Sequence, residues 1–182
     1  AELRIEYTDG SVEVIGTDSS WEVTENGPVR MADLYDGETY DATHKTDGWH
    51  AAAPETLKIT PAITAEYGAP VTAHEVFKPV AVTTAPDGET IYDFGQNFAG
   101  VIRISLQGSA GQVITVRHAE ILNPDGTLNT TFLRSAKATA AYTCRDGKQT
   151  YSPRFTYMGF RYAEIKGVKP EDVEVEAVAL YS

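Results

Sequence analysis

The sequence holds one cysteine, Cys144. A lone thiol excludes an internal disulfide and any metal site built on clustered cysteines. Its place inside an apolar strand pattern predicts a small core residue. The four histidines, His44, His50, His74 and His118, fall at no zinc-binding spacing and read as surface or satisfied strand residues. Nucleophile and phosphate motifs are missing too: there is no Gly-x-Ser-x-Gly, no His-Glu-x-x-His and no Gly-x-x-x-x-Gly-Lys. No apolar run approaches the roughly 18–20 residues of a membrane span. The chain opens Ala1-Glu2-Leu3-Arg4, with no Met and no basic-then-apolar stretch, which predicts a mature or excised fragment without a signal peptide. Positive charge is scarce: 15 Lys and Arg face 26 Asp and Glu, a formal net charge of −11. That balance argues against nucleic acid or an anionic membrane as partner.

What is present is strand after strand. Leu3-Arg4-Ile5-Glu6-Tyr7 alternates apolar and polar, Thr8-Asp9-Gly10-Ser11 follows as a turn, and Val12-Glu13-Val14-Ile15-Gly16 resumes, so the opening predicts a hairpin. Further strands are predicted at 20–23, 101–106, 113–118, 140–144, 149–151, 160–165 and 173–180. The helical signal is confined to one turn over 133–139. Many short strands with Gly, Asp and Pro turns predict an all-β fold, a jelly-roll β-sandwich of antiparallel strands. With 182 residues the chain suits a single domain spanning 1–182, large enough for its own core. Residues 51–72, with Pro54, Pro61 and Pro70, read as a long ordered crossover on its surface.

The acidity is concentrated at the front: residues 1–50 hold 12 Asp and Glu against 3 Lys and Arg. The densest polar and aromatic segment is Asp33 to Ala42, with Asp33, Asp36, Glu38 and Asp41 interleaved with Tyr35 and Tyr40. Carboxylates offer hard oxygen ligands to calcium and acceptors to sugar hydroxyls. Aromatic rings pack on the apolar face of a sugar. Equally, the two tyrosines can be core and the acids can flank a turn. Asp47 and Trp49 follow closely. A second segment, Tyr92 to Gly100, carries Asp93, Gln96 and Asn97, which can contact vicinal hydroxyls or satisfy backbone at a strand bend.

Five blocks then resemble one family. Asp33-x-Tyr35-x-Gly37-Glu38-x-Tyr40-Asp41-Ala42 is similar to the N-terminal region of bacterial α-L-rhamnosidases. So are Asp93-Phe94-Gly95-Gln96-Asn97-x-x-Gly100 and the run Arg117 to Leu128. Leu133 to Thr139 and Pro153 to Tyr162 continue the likeness in the same order. The resemblance implies a jelly-roll sandwich ahead of a separate (α/α)₆ catalytic barrel that carries glutamate acid and base. It also implies a carbohydrate-binding module of family 67, which holds terminal L-rhamnose with the help of calcium. No helical pattern of a barrel is present, so the chain is expected not to be an enzyme.

On that resemblance Asp36, Glu38, Asp41, Asp47 and Asn97 are candidate calcium ligands. Asp36, Asp41, Asp47, Asn97, Gln96, Trp49 and Tyr35 are candidate sugar contacts, with Trp49, Tyr35 or Phe98 against the rhamnose methyl. The expected partners are a rhamnose-containing glycan and the catalytic domain of a parent enzyme. The expected location is extracellular or periplasmic, where polymeric glycans are met. The alternatives are an accessory domain that only packs against the barrel, or a fragment that carries the enzyme's name without its activity.

Overall fold

The structure is a computed structural model and describes residues 2–53, 62, 64 and 67–182. Its strands are β1 (Glu2–Glu6), β2 (Val12–Gly16), β3 (Glu22–Val23), β4 (Val29–Asp33), β5 (Gly37–Asp41), β6 (His50–Ala51) and β7 (Thr72–Phe77). They continue with β8 (Ala81–Thr84), β9 (Thr90–Gly108), β10 (Val113–Ala119), β11 (Thr139–Thr143), β12 (Gly147–Tyr151), β13 (Met158–Lys166) and β14 (Val173–Tyr181). Among the described residues the only helical pieces are single 3₁₀ turns at Thr131–Leu133 and Pro170–Asp172. The all-β expectation is therefore met. The helical turn predicted at 133–139 is a 3₁₀ turn that ends at its first residue, and Thr139 already opens β11.

Where the sequence predicts one domain over 1–182, the chain divides into two compact units. The first comprises Ala1–Gly27 and Lys45–Tyr67, the second Pro28–His44 and Gly68–Ser182. Half of the crossover predicted at 51–72 lies outside the described residues.

The first unit contains the predicted hairpin. β1 and β2 pair antiparallel, with Leu3 opposite Ile15 and Ile5 opposite Glu13. The turn needs Gly10, whose φ of 85° suits a residue without Cβ. A second small pair joins β3 to β6, and Asn26 bridges to Asp47. Nearly every residue of this hairpin is exposed, Leu3, Val12, Val14 and Ile15 included.

The second unit is built on a ten-stranded curled sheet ordered β4-β5-β11-β10-β13-β9-β14-β7, with β8 and β12 also paired to β9. At 19 residues β9 is long enough to serve both limbs. Its first part pairs with β8 and β13, and its last part with β12 and β14. Ile102, Ile104 and Leu106 alternate inward along it and meet Ile114, Val116, Tyr142, Phe160 and Ile165 in one core. Cys144, as expected, is fully buried there. One pairing departs from a purely antiparallel pattern: β5 runs parallel to β11, from Gly37 beside Thr139 to Asp41 beside Thr143. The contact is tight. A Cβ on Gly37, whose φ is 115°, would fall 1.9 Å from the Thr139 carbonyl oxygen.

Candidate functional site

The acidic segment Asp33 to Ala42 forms β4, a turn and β5, and the fold sends its residues to different places. Asp33 Oδ1 accepts the backbone N–H groups of Tyr35 and Asp36, and these two bonds hold its carboxyl below the usual carboxylate range. Asp36 accepts Lys137 Nζ at 2.6 Å and Lys137 N at 3.2 Å. Tyr35 is 73% exposed. Together with Leu133 and Arg134, these residues line a shallow pocket of about 410 Å³. Asp41 ends β5 and accepts both the hydroxyl and the N–H of Thr43, which lower its pKa.

Glu38 points the other way. It is fully buried and accepts Tyr151 Oη at 3.0 Å, Arg154 N at 3.0 Å and Phe155 N at 3.1 Å. Its carboxylate is consumed in fixing the loop after β12.

The other candidates lie elsewhere. Gln96 and Asn97 are exposed in the middle of β9. Asn97 donates to Glu120 Oε1 at 3.2 Å, and Gln96 lines a pocket with Glu75, Phe77, Phe98 and Tyr181. Asp93 is held by a two-pronged contact from Arg161, at 2.8 Å to each oxygen, which lowers its pKa. Asp47, which accepts Asn26 Nδ2, and exposed Trp49 belong to the first unit.

So the structure joins Asp33, Tyr35 and Asp36, and gives Glu38, Asp41, Asp47 and Asn97 separate partners. Among the described residues no three His, Cys, Asp or Glu side chains gather to hold a metal. Lys137 already occupies Asp36, and three donors already occupy Glu38.

A different set of side chains does converge. Between β5, β11 and β12 lies a cleft of about 540 Å³, within the size range of small-ligand sites. Its floor is a tyrosine stack. Tyr142 and Tyr151 lie 4.4 Å apart at 15°, and Tyr40 packs on them at 5.8 and 5.7 Å. Tyr40 is the partly exposed member; the other two are buried.

Tyr142 donates to Gln149 Oε1 at 2.9 Å and Tyr151 to Glu38. Burial pushes both phenols up, and the Glu38 carboxylate pushes Tyr151 further, so both stay protonated donors at neutral pH. His44, Arg145, Gln149 and Arg154 complete the walls.

Of these residues, sequence reasoning singles out only Tyr40, as a ring between acids. Gln149 and Tyr151 read simply as a return strand. Arg154 sits inside a quoted block without a role. The missed signal is spatial: parallel pairing of β5 with β11 brings residue 40 beside residue 142.

Comparison with known proteins follows the same division only in part. Residues 83–181 match the bacterial alpha-L-rhamnosidase concanavalin-like domain, and residues 1–84 match the alpha-L-rhamnosidase N-terminal domain. The α-L-rhamnosidase of Streptomyces avermitilis is 38% identical over 195 residues, covering 100% of this chain and 19% of that protein. Its crystal structure in complex with L-rhamnose superposes with a TM-score of 0.87 at 37% identity, over 100% of this chain and 19% of that one. The native α-L-rhamnosidase of Aspergillus terreus gives 0.83 at 33% identity, over 100% of this chain and 22% of that one.

The chain thus spans about a fifth of the length of such relatives. The family boundary near residue 84 is not a folding boundary, since β4 and β5 precede it and pair into the sheet that follows. On the match over residues 83–181, the chain belongs to the bacterial α-L-rhamnosidase family, as its concanavalin-like domain together with sequence of its N-terminal domain.

Proposed function

We propose that this chain is a non-catalytic accessory region of an α-L-rhamnosidase that binds the terminal L-rhamnose of a glycan, in the manner of a carbohydrate-binding module. The observation that carries the reading is the tyrosine-floored cleft, where Tyr40 stays partly exposed beside two buried rings. A 6-deoxy sugar presents a methyl and an apolar ring face, which suit Tyr40 and Ala42, while its hydroxyls face the polar walls. A single sugar buries little surface, so the affinity falls on the order of micromolar to millimolar. Held on its polymer in this way, an attached catalytic domain, outside the cytoplasm where such glycans occur, would see a raised effective concentration of substrate.

The test is calorimetric titration with L-rhamnose, in calcium and again in EDTA. Binding heat that Tyr40→Leu weakens at least tenfold supports the cleft. Heat that also disappears in EDTA adds a calcium ion to the reading. No heat at millimolar sugar in either buffer sinks it.

A packing role is the second reading, and exposed aromatics in the second unit favour it. Tyr35, Phe132, Phe155 and Tyr157 are all exposed large side chains. A domain that only supports the catalytic barrel would leave L-rhamnose titrations flat and would bury these four against the rest of the enzyme.

A further inference from the structure

We infer that the cleft between β5, β11 and β12 is a site for an acidic saccharide, with Arg145 and Arg154 holding the anionic group. The inference rests on the reading of this cleft as a sugar site and adds the chemical class of its ligand.

The first support is what the two guanidinium groups do not do. In a chain with so many carboxylates, Arg103 pairs with Glu176, Arg117 with Glu164 and Arg161 with Asp93. Among the described residues no carboxylate lies within 4 Å of the Arg145 or Arg154 guanidinium. Both side chains are exposed and both line the cleft.

The second support is how their main chains are fixed. Buried Gln149 accepts Arg145 N at 3.0 Å and donates to Arg145 O at 2.7 Å and Gly147 O at 2.9 Å. Fully buried Glu38 accepts Arg154 N. Two buried polar side chains are thus committed to anchoring the backbone from which two arginines project that have no carboxylate partner among the described residues. Anchoring lowers the ordering cost of binding, because only the side chains remain to be immobilised.

The third support is electrostatic contrast. Guanidinium forks match carboxylate and sulfate in a two-point geometry that a neutral hydroxyl cannot reproduce. Glu38, which is fully buried behind Tyr151 and does not line the cleft, already receives three donors. His44 on the rim faces Arg30 at 3.4 Å and adds no negative charge. A uronate or a sulfated sugar next to rhamnose would therefore find its countercharge here, in a chain of net charge −11 that repels anions elsewhere.

The experiment is an NMR titration of the whole chain with D-glucuronate, D-glucose, a rhamnose sulfate and L-rhamnose, repeated at 0.5 M NaCl. It is run on the native protein and on Arg145→Gln, Arg154→Gln and the double variant, with melting temperatures to verify folding. The expected result is saturable binding of glucuronate or the sulfate at least tenfold tighter than glucose. High salt weakens it, and the double variant loses it at least tenfold more than it loses L-rhamnose. The carboxylate and sulfate arms decide which anion the arginines hold. Glucuronate and sulfate binding no tighter than glucose, or indifferent to both substitutions, overturns the inference even if L-rhamnose binds. Arginine-dependent glucuronate binding with no response to L-rhamnose upholds it and sinks the rhamnose reading instead.

Discussion

Two strands with nearly the same written pattern behave differently in this molecule. β2, Val12-Glu13-Val14-Ile15-Gly16, alternates apolar and polar through its first three residues and is exposed throughout. The last part of β9, Ile102-Arg103-Ile104-Ser105-Leu106, alternates likewise and buries every second residue. Periodicity says that a segment is extended and which residues share a face. It does not say that another layer exists to cover that face. In the second unit the curled sheet brings buried side chains of β10, β11 and β13 into one core with that face; in the first unit two short sheets do not. Burial at ~25 cal/mol per Å² is what converts pattern into stability, so the two units should respond differently to the same insults. The chain offers a ready readout, because both tryptophans, Trp21 and Trp49, belong to the first unit, whereas the buried tyrosines Tyr92, Tyr142 and Tyr151 belong to the second.

The largest contrast is expected from Glu38→Ala. The substitution leaves the buried Tyr151 hydroxyl and the part-buried N–H groups of Arg154 and Phe155 without their acceptor. Losing a buried, fully hydrogen-bonded carboxylate costs about 3–5 kcal/mol. Urea unfolding followed by near-ultraviolet tyrosine dichroism should shift by that amount, while tryptophan fluorescence barely moves. Coincident shifts of both signals would mean that the two units unfold as one, and no tyrosine shift would mean that Glu38 is not the anchor of this wall.

Acid should open the same contrast by a different route. His118 is buried, its Nδ1 lies 2.8 Å from Ala138 O, and its ring meets Phe160 edge-on. Burial depresses its pKa from 6.5 to about 4. The unfolded chain therefore takes up this proton first. Stability is full above pH 6.5 and falls as the pH drops from 6.5 toward about 4, by roughly 3 kcal/mol in all. Asp93, whose carboxyl Arg161 holds low, adds further loss only below its ordinary value near 3.8. The urea midpoint read by tyrosine dichroism should fall across this window in the native protein and lose most of that pH dependence in His118→Gln. A flat native profile between pH 6.5 and 4 would remove His118 from the account.

The same physics explains which features were readable in the residues. The hairpin of β1 and β2, the core run of β9, and strands β10, β13 and β14 were legible because each carries its own alternation. β4, β5, β7 and β8 were not, since none carries a sustained apolar–polar alternation and their strand character comes from neighbours. The cleft was illegible for a related reason. Tyr40, Tyr142 and Tyr151 are far apart in sequence, and only the parallel pairing of β5 with β11 brings the first beside the second. Carboxylate identity was a poor guide to role as well. Asp36, in the turn, and Glu38, on β5, are only two residues apart, yet one meets Lys137 near the surface and the other is sealed in the interior.

The smallest effect is expected where the alternation is cleanest. Ile15→Ser removes an exposed side chain that faces Leu3 across the hairpin. Such a cross-strand pair is worth a few tenths of a kcal/mol, and an exposed substitution away from packing stays within about 0.5 kcal/mol. Neither the tyrosine nor the tryptophan transition should move beyond that, and amide exchange along β1 and β2 should be fast in both proteins, against slow exchange at Ile102, Ile104 and Leu106. A loss of 2 kcal/mol or more, or slow exchange in the native hairpin, would show that the face formed by Leu3, Ile5 and Ile15 is covered in solution. The contrast between the units would then lie in what each is bound to and no longer in how each is built.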